Sequence, residues 1–156
     1  MANVATAKQQ NKKILTAVIA VAFVALLVLL ILLLSQKNGF VREDGEVYYY
    51  KNNEMQVGWQ IIDNERYYFD ADGKMHRGWL VWEKDAFYFR QGKDGDANDI
   101  GGTLLISTQA VLKDVDGIRW YIEFGANGKV INSILDVDWY KSQGLEIPDV
   151  TEPNFG

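Results

Sequence analysis

Trp59 and Trp79, each preceded by a glycine, stand twenty residues apart and enclose Tyr67, Tyr68 and Phe69; Trp82, Phe87, Tyr88 and Phe89 come directly after. Rings at this density can form the core of a small fold, each burying roughly 150 to 250 Å², and rings at the edge of such a stack can also wall a groove for a ligand. The other residues with chemical potential fall short of a site. Asp94, Asp96 and Asn98 alternate like the opening of a calcium loop, but Asp99 stands where that loop needs glycine and Leu105 where it needs glutamate, so a solvated acidic insertion is expected. His76 is the single histidine, and one histidine without a nucleophile in a recognisable setting supports neither a triad nor a typical zinc site. Glu43 and Asp44 are paired carboxylates in a turn segment, where acidic residues are ordinary, and thin hairpins are expected to lack a water-excluding pocket of the usual ~300 Å³ or more. No enzyme activity, catalytic residue, metal or cofactor is therefore expected.

Positioning these rings falls to the chain beyond a greasy N-terminal block. Ile14 to Leu34 is 21 residues without a charge, and at about 1.5 Å per residue a helix of that length spans roughly 30 Å of hydrocarbon. A cleaved signal peptide would have a shorter apolar core of about 7 to 15 residues and then small residues, so the block reads as an uncleaved signal anchor. Lys8, Lys12 and Lys13 precede it and no acidic residue does, which keeps residues 1–13 in the cytoplasm and sends residues from about 35 onward outside. The expected protein is a single-pass plasma-membrane protein: cytoplasmic tail 1–13, transmembrane anchor 14–34, linker 35–44, then an extracellular domain.

All 21 acidic residues but only 13 of the 16 basic ones lie beyond the helix, leaving the outer part at about minus eight. Phosphate binding needs clustered Lys and Arg, so nucleic acid and anionic lipid are excluded as partners. The chain has no cysteine, hence no disulfide and no thiolate metal site, and stability must come from packing.

Residues 41–60 align over 61–80 without a gap: Tyr48 over Tyr68, Tyr49 over Phe69, Met55 over Met75, Trp59 over Trp79; pairing through the turn instead shifts the first unit by one. A third unit starts at Phe87, Tyr88 and Phe89 and is interrupted by an insertion at about 91–115. A fourth, Asp116 to Val130, recovers the order with one extra residue. Each unit reads as a hairpin of about twenty residues in which RYYF is one strand, DADGK the turn and MHRGW the return. A lone hairpin of that size is marginal in water, so stacking on neighbours must stabilise the array. LLIS at 104–107 and AVL at 110–112 read as further strand, Trp139 and Tyr140 as a short helix or turn, and residues 131–156 as an extension, loose unless it docks.

The stretch GWQIIDNERYYFDADGKMHRGW resembles the cell-wall-binding repeats of Gram-positive surface proteins, a superfamily that includes choline-binding, glucan-binding and clostridial-toxin repeats. The resemblance covers 45–82 well, 83–90 in part and 116–130 loosely. It implies an all-β, solenoid-like ectodomain of stacked hairpin repeats over 45–130 behind the one transmembrane helix, with ligands in shallow aromatic clefts between hairpins. Carried over position by position, the cleft residues are Trp59, Trp79, Tyr67, Tyr68, Trp82, Tyr88 and Trp120. The strand-opening Trp of choline-binding members is replaced by Arg66 in the second unit and Ala86 in the third, and Trp120 restores it in the fourth. A positive charge beside the cage opposes a choline cation, so the resemblance points to the glucan and toxin branches, where rings stack on sugar faces. The expected function is non-catalytic binding of cell-wall polymer or glucan that tethers or positions at the envelope. The alternative is an accessory or scaffold subunit that uses the repeats to pack against a membrane protein partner.

Overall fold

The computed structural model describes residues 2–34, 36–93, 96 and 98–156, with side chains from residue 9 onward; Asp94 of the calcium-like sequence lies outside them. Helix α1, Ala2–Leu34, contains a stretch, Gln9–Leu34, long and apolar enough to cross a membrane, and none of it is buried. Absence of a polar stripe explains the exposure: an amphipathic helix has one face to bury and this one has no distinct face.

The rest is almost wholly antiparallel strand. β1 (Gly39–Glu43), β2 (Glu46–Lys51) and β3 (Glu54–Met55) form one sheet; β4 (Gly58–Ile62) pairs with β5 (Glu65–Phe69), and β6 (Gly78–Trp82) with β7 (Asp85–Phe89). β8 (Thr108–Lys113), β9 (Arg119–Phe124) and β10 (Val130–Leu135) form the last sheet in the order β10-β9-β8, and helix α2 (Val137–Ser142) comes after it. Stacked hairpins behind one apolar helix are thus the architecture.

The pairing within a unit differs from the expected one. Gly-Trp opens the hairpin: Gly58 pairs with Phe69 and Trp59 with Tyr68, and twenty residues on Gly78 pairs with Phe89 and Trp79 with Tyr88. The reversal is made by Asp63-Asn64, both at positive φ (51° and 67°), as a two-residue hairpin turn of the favoured twist requires. DADGK is a connecting loop instead, after which only Met75 pairs back, to Phe69. In the first unit Gly39 pairs with Tyr50 and Phe40 with Tyr49, so its strands precede those of the second unit by nineteen residues, the shifted register. The missing residue is absorbed in the loop: Asn52-Asn53 turns tightly to Met55 where the second unit uses five residues to reach Met75.

Period-two alternation places the core. Tyr67 and Phe69, Phe87 and Phe89, and Trp120, Ile122 and Phe124 face inward on β5, β7 and β9. The units are joined by a recurring contact. The apolar residue closing one unit lies under a loop glycine of the next: Met55 under Gly73, Met75 under Gly102, Leu104 under Gly128, each glycine at φ between 77° and 85° with no room for a Cβ. The backbone repeats the joint, with Met75 N–H donating to Val47 O (2.7 Å) and Leu104 N–H to Arg66 O (2.9 Å). The Met55 and Met75 spacing in the sequence is this joint.

Glu83-Lys84 makes the β6–β7 turn with φ of 51° and 75°, a left-handed conformation that costs an L-residue roughly 1–2 kcal/mol. Lys84→Gly removes that strain and loses part of the gain to chain entropy. It should stabilise the domain by about 0.5–1 kcal/mol, raising the thermal midpoint by roughly 3–5 °C, which calorimetry can check.

Between Phe89 and its partner Leu104 the chain makes an excursion stapled by Arg90, whose Nη1 and Nη2 donate to Asp99 Oδ2 (2.8 Å) and Oδ1 (2.6 Å). That pairing, aided by the N–H groups of Gly101 and Lys93 and opposed by burial, lowers the Asp99 carboxyl to about 2. A carboxyl depressed in the folded state stabilises fully above its unfolded pKa, about 3.9, and loses that contribution as pH falls through about 2. The protection factor of the Gly101 amide should therefore fall between pH 4 and pH 2 relative to amides of β5, and Asp99→Asn should show the low value throughout.

α2 is capped by Asp136, which accepts from Trp139 N–H (3.2 Å) and pairs with Arg119 Nε (2.7 Å). Burial pushes the Asp136 carboxyl up, but Arg119, Trp139 N–H and Tyr121 together hold it below the ordinary range. The C-terminal stretch docks: Asn154 bonds to Asp114 and Asp116, and the Phe155 ring meets Trp79.

Candidate functional site: an aromatic cleft between hairpins

Trp59 stands on β4 opposite Tyr68, its ring 5.4 Å from Tyr68 and 5.2 and 5.6 Å from Phe87 and Phe89 of the next hairpin. Tyr68 in turn lies 5.5 Å from Trp82, which ends β6 beside the Glu83-Lys84 turn. Trp59, Trp82 and Phe87 wall a cleft of about 390 Å³ that also involves Gln60, Ile61 and Arg66 and the β9–β10 loop residues Asn127 and Lys129, with Tyr68 and Phe89 packed behind the rings. It is a solvent-open cleft between hairpins and not a water-excluding pocket, and a loop from the fourth unit, bringing Asn127 and Lys129, forms one of its sides. Trp59 is 36 % and Trp82 41 % exposed, so two large ring faces remain open to solvent.

The polar groups lie on one side. Arg66, opposite Ile61 in the pairing, donates from Nη1 to Asn127 O (3.2 Å) and has no carboxylate partner among the described residues. Lys129 Nζ is 2.5 Å from Asp85 Oδ2. Among the described residues, no carboxylate, histidine or hydroxyl group lines the cleft. What the arrangement can do is stack flat or apolar faces on indole and phenyl rings while a guanidinium, an ammonium and the Gln60 amide offer hydrogen bonds.

Of the remaining predicted site residues, Trp79 and Tyr88 repeat the Trp59 and Tyr68 pair, rings 4.9 Å apart, but Phe155 covers Trp79 at 4.4 Å. Tyr67 and Trp120 lie buried, away from the cleft. Tyr67 is 8 % exposed and packs among Val47, Ile62 and Phe69, because it alternates with Tyr68 and faces the other way. Trp120 is 2 % exposed, its Nε1 donating to Asp114 Oδ2 (3.0 Å). The extra residue in the fourth unit is the reason. Counted back from Phe124, the place of Arg66 falls on the exposed Tyr121, and a one-residue slip turns a strand side chain to the opposite face.

His76 serves geometry. Its Nε2 donates to Trp79 O (2.8 Å), since a carbonyl can only accept, and its ring meets Tyr68 and Phe89 edge-on. Asp96 turns back on Asn98 N–H and Asp99 is held by Arg90. Sequence reasoning missed Gln60, Ile61, Asn127, Lys129 and Phe155. The first two neighbour a Gly-Trp in the strand, a usable signal; the others arrive from distant units and have no local one.

A family model described as a choline-binding repeat matches residues 56–97, and one described as a putative cell wall binding repeat matches residues 38–54. No curated protein sequence matches the chain. Among solved structures, the choline binding domain of Spr1274 in Streptococcus pneumoniae is 22% identical over 63% of this chain and 99% of its own, with a TM-score of 0.43. Choline binding protein F from Streptococcus pneumoniae is 21% identical over 62% of this chain and 34% of its own, TM-score 0.38. A pneumococcal cell wall endolysin from phage Cp-1, complexed with choline, is 18% identical over 74% of this chain and 28% of its own, TM-score 0.33. The chain thus spans about a third or less of the last two proteins. Residues 38–54 and 56–97 thus match models of putative cell wall binding and choline-binding repeats in tandem, as hairpins whose pairing recurs at nineteen and then twenty residues, behind an N-terminal apolar helix.

Proposed function

We propose that this protein is a single-pass plasma-membrane protein that binds cell-envelope glycopolymer non-catalytically and tethers or positions itself, or an associated component, against the wall. α1 is the anchor, its preceding lysines hold the N-terminus in the cytoplasm, and the hairpin domain lies outside. The observation that carries the reading is the 390 Å³ cleft walled by the half-open rings of Trp59 and Trp82. The domains 1–13, 14–34, 35–44, 45–130 and 131–156 belong to the same reading.

Arg66 decides between ligand classes. Family matches of this kind suggest choline-bearing wall polymers, but a quaternary ammonium in this cleft would meet the Arg66 charge, which has no carboxylate partner among the described residues, and like charges a few ångströms apart are costly at reduced dielectric. A sugar ring meets no such penalty: its apolar face stacks on indole and its hydroxyls accept from Arg66, Lys129 and Gln60. Full-length protein in detergent micelles, incubated with purified cell walls and with insoluble α-glucan, is expected to sediment with at least one of them and to stay bound in millimolar choline. No retention by either polymer contradicts the proposal, and complete release by choline contradicts the sugar assignment.

A second reading has one observation in its favour. Trp79 is covered by the chain's own Phe155, so a repeat ring face here does serve protein packing. An accessory or scaffold subunit of an extracytoplasmic membrane complex would use the Trp59 and Trp82 faces in the same way, and would co-purify with a stoichiometric membrane partner.

A further inference from the structure

Each internal hairpin turns one strand face toward the unit before it. Tyr67 and Phe69 do so in the second unit, Phe87 and Phe89 in the third, and all four rings are buried. By the nineteen-residue shift, the places of Tyr67 and Phe69 fall in the first unit on Tyr48 and Tyr50. What precedes that unit is α1 and not a hairpin, and both rings are only half-buried. Alternation fixes their direction. Val47 is buried against the second unit and Tyr49 meets Phe69 there, so Tyr48 and Tyr50, with Val41 paired to Tyr48, point away from it.

The chain enters across this end face. Lys37 Nζ lies 4.9 Å from the centre of the Tyr50 ring and 2.5 Å from Glu43 Oε1. The entry is pinned to the β2–β3 turn: Asn53 N–H donates to Lys37 O (3.0 Å), Lys37 N–H donates to Asn53 Oδ1, and Asn52 N–H donates to Asn38 Oδ1 (2.7 Å). Leu34 ends α1, and Lys37 follows it after three peptide steps. At ~3.6 Å per step or less, three steps reach about 11 Å. The headgroup layer outside the hydrocarbon is itself roughly 5–8 Å thick, so the pinned residue stands within it or just above it.

We propose that this end face, Val41, Tyr48 and Tyr50, seats on the lipid surface at headgroup level, so that the hairpin domain stands on the bilayer. The inference rests on the reading of α1 as a transmembrane anchor. Tyrosine suits that depth, because its ring takes apolar surroundings while its hydroxyl keeps to water and headgroups. No cluster of Lys and Arg is required, since the drive is burial of ring and valine surface and not attraction to phosphate. The short tether puts lipid beside the face in every molecule, whereas a second copy would have to bring its own end face there while both stay within about 11 Å of their helices.

The consequence is height. At about 10 Å per packed layer, the cleft between the second and third hairpins lies roughly 20–30 Å above the headgroups and meets the membrane-proximal stretch of any envelope polymer.

The chain has no cysteine, so a single introduced one can carry an environment-sensitive fluorophore. Full-length protein is placed in phosphatidylcholine nanodiscs doped with lipid that bears a nitroxide either at headgroup level or near the chain ends, with no polymer present. Labels at Val41→Cys and Glu46→Cys, on the end face, should lose roughly half or more of their emission to the shallow nitroxide, as groups at headgroup level do. A label at Gln109→Cys, in the last sheet, should lose almost none, and one at Ala25→Cys, in α1, should be quenched by the deep nitroxide. Changing Tyr48 and Tyr50 together to Ser should cut the shallow quenching at position 46 at least twofold. If that double variant loses its strand circular dichroism, Tyr48→Ser and Tyr50→Ser singly decide. Deep quenching at position 25 with none at 41 or 46 overturns this inference alone. Labels at 41 and 46 that are silent to lipid but quench one another as protein density rises make the face a contact between copies and likewise overturn it. No deep quenching at position 25 overturns the anchor reading and this inference with it.

Discussion

Trp82→Ala should lower retention of the full-length protein on its envelope polymer at least tenfold while leaving the fold in place. Trp82 is 41 % exposed and its ring contact is with Tyr68, so alanine removes one wall of the cleft and little of the core. Tenfold corresponds to about 1.4 kcal/mol, within what an aromatic face contributes through buried area and ring geometry. Trp59→Ala should lose at least as much binding and also stability, because that ring supports Tyr68, Phe87 and Phe89 at once. The contrast between the two is diagnostic: sedimentation with polymer reads the binding, circular dichroism melting reads the fold, and only Trp59→Ala should move both. Trp82→Phe should recover part of the retention. If Trp82→Ala binds as the wild type does, the cleft is not where polymer is held.

Trp120→Ala should be the most damaging single change to the folded domain. Its ring is the largest fully buried side chain, 2 % exposed, and packs with Ile122 and Phe124 beneath Trp79. Truncating a buried Trp costs roughly 3–5 kcal/mol, against a total stability of order 5–15 kcal/mol for a domain. The indole N–H also satisfies Asp114, 6 % exposed, which itself organises the β8–β9 turn through Asp116 and Ile118 N–H. Trp120→Phe keeps most of the packing and gives up only that bond, for about 1–3 kcal/mol. Urea midpoints should rank wild type, Trp120→Phe and Trp120→Ala in that order; an unchanged midpoint for Trp120→Ala would mean that this sheet is not the core it is taken to be.

Trp120 also shows where sequence reading reaches its limit. The twenty-residue recurrence, the hairpins and the apolar helix were all legible, because ring alternation and turn residues are local signals. The face that Trp120 takes was not, since one inserted residue in a strand inverts every side chain beyond it. The hairpin boundaries were legible only in part. DADGK carries the stronger glycine signal, yet Asp63-Asn64 makes the tight turn, Asn and Asp tolerating positive φ with glycine absent.

The cleft was half legible for a similar reason. Trp59 and Trp82 could be named from spacing, and Arg66 from its departure at a ring position. Asn127 and Lys129 come from a loop some sixty residues away, brought over by the joint between Leu104 and Gly128, and Phe155 comes from the far end of the chain. Contacts between units depend on how hairpins stack, and the recurrence within one unit does not encode that.

The central claim, that envelope glycopolymer is held on the rings of Trp59 and Trp82 beside Arg66, is tested most directly by titrating the wild-type full-length chain with a solubilised fragment of purified wall glycan and recording its five tryptophan indole signals. The account predicts saturable shifts at Trp59 and Trp82, lost in Trp82→Ala and weakened in Arg66→Gln, with Trp120 and Trp139 unmoved. Absence of any shift, or a response confined to Trp139, would contradict it.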